Sequence, residues 1–111
     1  MAHWSEWLSF PNPKKQEYLN APIGPGVYKL RNKRTGEWVL FGRSKNVAHR
    51  MTSLLPVPLG TGTRRNQLKR GYILNHIADI QYCTLACLSE EEAKLEENKL
   101  QKSGENYLFP T

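Results

Sequence analysis

The sequence predicts one α/β domain, a small sheet flanked by helices in the order β-β-α-α-β-α. Three observations carry this. A chain of 111 residues, 39% of them hydrophobic, can bury one modest core and no second one. Two runs rich in β-formers, Val27 to Arg31 and Glu37 to Phe41, flank the turn cluster Asn32-Lys33-Arg34-Thr35-Gly36 and read as a hairpin. Near the end, Ser89-Glu90-Glu91-Glu92 is a capping box that opens a helix directly behind a strand-like run.

Taken in order, Trp4, Trp7 and Leu8 recur at i, i+3, i+4. They predict a short helix in an N-terminal extension over residues 1–22, with the domain proper over 23–111. Pro11 and Pro13 stop that helix. Gly24-Pro25-Gly26 is loop punctuation before the hairpin. After Gly42, Ser44 or Asn46 can cap a helix whose apolar positions are Val47, Met51, Leu54 and Leu55. Pro56 and Pro58 end it. Thr63 caps a second helix to about Asn75, with Leu68, Tyr72 and Asn75 on one face. Ile80 to Leu88 is a third strand. The helix opened by Ser89 runs to about Lys102 and stops at Gly104. Asn106 to Pro110 can then return to the sheet edge.

Charge narrows the function classes. The net charge is +6, unevenly placed: residues 1–88 hold 13 Lys and Arg against 4 acids, whereas residues 89–111 hold 3 Lys against 6 Glu. A basic body points to a polyanion, nucleic acid above all. The alternative is ordinary solubilising charge. No apolar run approaches the roughly 20 residues needed to cross a bilayer, so no membrane partner is expected. The start of the chain carries no readable secretory signal, and two cysteines make no disulfide scaffold, so a reduced cytoplasmic setting is expected. Cys83, Cys87, His3, His49 and His76 have no zinc-ligand spacing. Gly60-Thr61-Gly62-Thr63 is not followed by the Gly-Lys-Ser/Thr of a Walker loop.

Gly26-Val27-Tyr28 heads the first hairpin strand, and Leu40-Phe41-Gly42 ends the second. Arg50 follows Gly42 by eight residues, and Ala93 and Glu97 lie on the last helix. In these motifs, and in Gly42-Arg43-Ser44-Lys45-Asn46-Val47-Ala48-His49-Arg50, the chain resembles the GIY-YIG nuclease superfamily over about Ile23 to Asn106. The resemblance implies a GIY-YIG-like sandwich and a divalent-metal-dependent endonuclease acting on DNA. It makes Tyr28 the residue beside the attacking water and Arg50 the holder of the scissile phosphate. It also makes Arg43 a positive charge in the site, and a late glutamate the ligand of a single magnesium or manganese ion. Glu97, four after Ala93 and eight after Ser89, is the preferred ligand; Glu96, directly after Leu95, is the second choice. Asn106 stands where the family often has a C-terminal asparagine.

The chain departs from the family at Leu40, where a tyrosine hydroxyl is usual, and at Leu54, where a histidine or tyrosine is usual. A catalytically weakened or inactive nucleic-acid-binding module of the same fold is therefore the alternative reading.

The chemistry suits these residue types. A guanidinium grips phosphate oxygens through a rigid fork, and a carboxylate-bound cation acts as a Lewis acid. A tyrosine of ordinary pKa near 10 is a poor base at neutral pH unless nearby positive charge lowers it. Arg43, Lys45, Arg64, Arg65, Lys69, Arg70 and Asn106 are the candidate nucleic-acid contacts; in the helix, Arg65 and Lys69 share one face and Asn66 and Arg70 another. Phosphate contacts of this kind carry no sequence information. A single domain of this size is expected to show weak specificity unless a partner protein supplies it.

Overall fold

A computed structural model describes residues 4–11, 19–52, 67–104 and 106–109. Four antiparallel strands form one sheet: β1 (Leu8–Ser9), β2 (Gly26–Asn32), β3 (Trp38–Ser44) and β4 (Ile80–Ala86), in the spatial order β1-β4-β2-β3. Helices α1 (Val47–Thr52), α2 (Gln67–Asn75) and α3 (Glu90–Gln101) complete an α/β architecture. No helix among the described residues is long and apolar enough to cross a membrane.

The hairpin forms where the sequence places it. Asn32 is fully buried, and its side-chain oxygen accepts from the N–H groups of Arg34 and Thr35, closing the turn. β3 runs past Gly42 to Ser44, longer than the run of β-formers predicts, because β2 supplies partners as far as Gly26 opposite Ser44. A register shift between Leu30 and Arg31 leaves Val39 as an extra residue. Val39 and Leu40, though consecutive, therefore both join one core.

That core lies on the sheet face carrying Tyr28, Leu30, Leu40 and Tyr82, covered by Val47 and Met51 of α1 and Ile73 of α2. On the opposite face Val27 and Leu85 pack against Ala93 and Leu100 of α3. The capping box forms as expected: the Ser89 hydroxyl accepts from Glu92 N–H at 3.2 Å. Gly104, at φ +82°, follows the helix end.

Two expectations are corrected. Where a helix over Trp4 to Leu8 is expected, the chain is extended along β4: Leu8 pairs with Tyr82, Ser9 with Gln81, and Trp4 bridges to Leu85. An isolated helix of under about 12 residues is marginal in water, whereas the edge of β4 offers a ladder of unpaired backbone groups. Ser5 N–H donates to the Thr84 carbonyl, and the Ser5 hydroxyl accepts from Thr84 N–H. The predicted face of the second helix holds only at Tyr72, which packs against the core. Leu68 is 79% exposed, Asn75 is exposed, and Ile73 is the residue buried. The Thr63 cap and Leu54 and Leu55 lie outside the described residues. The C-terminal segment does return to the sheet: Tyr107 bridges in parallel to Trp38, and Phe109 N–H donates to the Val39 carbonyl.

Candidate functional site

The site is built around Gly42. Tyr28 sits opposite Gly42 in the β2–β3 ladder, and its ring lies across the glycine. A Cβ on Gly42 would fall 2.6 Å from the Tyr28 hydroxyl oxygen and 2.8 Å from its ring carbon. No other residue fits without moving the phenol. Tyr28 is buried, and its hydroxyl accepts a hydrogen bond from the Arg50 side chain.

Arg50 is held in place by a six-residue helix whose first N–H groups all have acceptors. Val47 N–H donates to the Gly24 carbonyl, Ala48 N–H to that of Pro22, and Arg50 N–H to that of Asn46. Asn46 caps the helix through its side-chain oxygen, which accepts from His49 N–H. Asn46, not Ser44, is thus the cap, and Val47 and Met51 pin the helix to the core.

Glu97 approaches from the other layer. Arg43 pairs with Val27 in the ladder, one residue past Gly42, so its side chain leaves the sheet on the α3 side. Its Nε lies 3.2 Å from Glu97 Oε1. With the Arg43 side chain 42% exposed, this pair is worth at most about 1 kcal/mol. Glu97 also lies close enough to Tyr28 for its charge to act on the phenol. Arg43 and Glu97 therefore lie across the sheet from Tyr28, which Glu97 reaches through its charge. Glu96 points elsewhere and pairs with Lys99 at 3.0 Å.

The electrostatics set the protonation state of Tyr28. Burial pushes its pKa above the ordinary value near 10; Arg50 opposes this, and Glu97 adds to it. The phenol is neutral at pH 7. Lys69 on α2 is half-buried, and its pKa is lowered by burial and by the charge of Arg50. A second cation therefore stands near the first.

The remaining predicted residues are dispersed. Lys45 is exposed just beyond β3, and Arg70 is half-buried on α2. Asn106 is exposed, on the side of Trp38 away from Gly42, and is not brought to Tyr28. Arg64 and Arg65 lie outside the described residues. Leu40, where the resemblance expects a hydroxyl, is 1% exposed and packed in the core.

Among the described residues no group of three or more His, Cys, Asp or Glu side chains could enclose a metal ion. A single carboxylate at the mouth of a basic site still suits magnesium, which keeps several waters and is commonly bound by one or two carboxylates plus substrate phosphate. Glu97, whose side chain is 15% exposed and pairs with Arg43, is the carboxylate available for such a role.

Sequence reasoning singled out the hairpin cations but did not bring them together with the tryptophans, on the face opposite Tyr28. Trp4, Trp7 and Trp38 stand around the Lys29 ammonium. The alternation of Lys29 and Arg31 along one strand is the signal that pointed to this grouping. Comparison with protein-family models, curated proteins and solved structures returns no match.

Proposed function

We propose that this chain is a GIY-YIG-type domain that hydrolyses DNA phosphodiester bonds with the help of one divalent cation. The observation that carries the reading is the Tyr28–Arg50 hydrogen bond beside Gly42, with the Arg43–Glu97 pair across the sheet near enough for the Glu97 charge to act on the phenol. These four residues come from four separate elements, and each has a task in phosphodiester hydrolysis.

Arg50 binds two oxygens of the scissile phosphate and offsets charge as the attacking water adds. Tyr28, neutral and buried, presents its oxygen to that water. It takes the proton as the phenolate, once its own proton has passed to solvent, a form that Arg50 favours and that burial and Glu97 oppose. Arg43 holds Glu97 facing the site and releases it when a stronger cation competes, since an exposed ion pair is weak. Glu97 would hold the magnesium or manganese ion, which when bound supplies Lewis acidity toward the phosphate and the leaving oxygen.

The experiment is a nicking assay on supercoiled plasmid with magnesium or manganese, run beside Glu97→Gln. Metal-dependent nicking that the substitution abolishes, with DNA binding retained, supports the reading. DNA binding with no nicking by the native protein overturns it in favour of a non-catalytic binding module. That second reading has its own support in Leu40, whose buried side chain leaves the site one hydroxyl short of the family pattern.

A further inference from the structure

The sheet face opposite Tyr28 is covered by α3 only at one end, over Val27 and Leu85. Beyond it stand two cations and a row of aromatic rings. The Lys29 ammonium lies 4.4 Å from the centre of the Trp4 ring, 5.4 Å from Trp38 and 5.7 Å from Trp7. The Arg31 guanidinium lies 3.9 Å from the centre of Trp7. Trp7 and Trp38 are 5.8 Å apart, and Tyr107 continues the row 5.9 Å beyond Trp38. All six residues are half-buried.

This grouping is assembled from three distant parts of the chain. Four steps of the N-terminal segment, Trp4 to Leu8, run against three steps of β4, Leu85 to Tyr82. The extra residue is what brings Trp4 and Trp7 to the same side despite their odd spacing. Sealing a core does not require two charges under the seal. Arg31 donates to the Gln81 side chain, but among the described residues no carboxylate pairs with Lys29 or Arg31. Rings supply stacking surface, and unneutralised cations supply phosphate contacts. Single-stranded nucleic acid is a ligand that uses both, whereas duplex bases are already stacked on one another.

We propose that this face binds single-stranded nucleic acid, with bases stacked on Trp7, Trp38 and Tyr107 and backbone phosphates on Lys29 and Arg31. The site lies across the sheet from Tyr28 and requires no cleavage, so it stands or falls apart from the nuclease reading.

The chain has three tryptophans, and all three are in this grouping. Its intrinsic fluorescence therefore reports the face directly. The full-length protein is titrated with an oligothymidylate of roughly 12 nucleotides and with a duplex of equal length. The expected result is saturable quenching by the single strand and little or none by the duplex. Trp38→Ala should weaken binding of a labelled oligothymidylate, read by anisotropy, about 5- to 150-fold, the range for one lost stacking ring. Lys29→Gln with Arg31→Gln leaves the rings in place. It should flatten the dependence of log affinity on log salt by about 1.4, roughly 0.7 for each of two phosphates on a single strand. Binding without quenching overturns the proposal, as does quenching that favours the duplex or an unchanged salt slope in the double variant. A Trp38→Ala chain that does not fold leaves the decision to the double variant.

Discussion

Gly42 is the residue whose identity the site depends on most directly. A methyl group there meets both the oxygen and the ring of Tyr28 at under 3 Å, and relief requires the phenol to swing away from Arg50. Gly42→Ala is expected to cost about 1–3 kcal/mol in denaturant unfolding, in the range for overpacking. Nicking should fall with it, beyond what the loss of stability accounts for. The two glutamates separate by the same logic of placement. Glu97 faces Arg43 and Tyr28, whereas Glu96 faces Lys99. Glu97→Gln should lower metal-dependent nicking about a hundredfold or more, since Lewis-acid stabilisation is worth several kcal/mol. Glu96→Gln should leave it nearly unchanged, and the reverse pattern would move the ligand to Glu96. Leu40 bears on the missing hydroxyl. Because its side chain is enclosed by the core, Leu40→Tyr is expected to destabilise the fold by about 1–3 kcal/mol. A rise in nicking rate in that variant would show the tyrosine hydroxyl reaching the site.

At the scale of elements, the strongest sequence signals describe local chemistry that tertiary packing leaves alone. The Ser89 capping box is satisfied within its own turn, so α3 begins where the sequence says. Ser89→Ala should cost about 0.5–2 kcal/mol by denaturant titration, and only a few tenths for Gly in the same place. The hairpin turn is local in the same way, closed by Asn32 on its own neighbours. The N-terminal segment and α2 were misread for the opposite reason. Trp4, Trp7 and Leu8 have helical spacing, but their apolar groups are accommodated by a bulged strand on the edge of β4. In α2 the buried position is Ile73 rather than Leu68, a rotation set by where the sheet lies and not by the apolar count of the helix.

For the molecule as a whole, pH and salt act through burial and charge. Burial pushes the Cys83 thiol from 9.0 to about 11, against the opposing charges of Lys29 and Arg31. Below pH 9 both states hold the proton. Between 9 and 11 the unfolded chain releases it and the folded one does not, so stability falls as pH rises. Tyr28 and Tyr82, raised above 10 by burial, extend the fall in the same direction. Thermal unfolding should therefore show a midpoint that drops through pH 9 to 11, with a shallower drop in Cys83→Ala. An equal slope in that variant would assign the drop to other groups. Salt acts on the basic body, where 13 cations face 4 acids over residues 1–88. Affinity for DNA should decrease steeply with ionic strength, read as a linear fall of log affinity with log salt. A flat response would make the charge incidental.

What the sequence by itself determined were the features written in adjacent residues: the order of strands and helices from the hairpin onward, the hairpin turn, the Ser89 cap and the stop at Gly104. Each is a local hydrogen-bonding or steric requirement of a few neighbouring side chains. The preference for Glu97 over Glu96 came from the family resemblance; in the structure Glu97 pairs with Arg43 and Glu96 with Lys99. Only the tertiary structure decided what meets across the sheet. Tyr28 and Glu97 start on opposite faces, and the register of β2 against β3, which sets Gly42 under the phenol and Arg43 beside Val27, brings them within electrostatic reach. The three tryptophans around Lys29 depend on which edge of the sheet the N-terminal segment joins and on one extra residue in its register. Strand pairing between distant segments is chosen by long-range burial, and no periodicity within either segment encodes it.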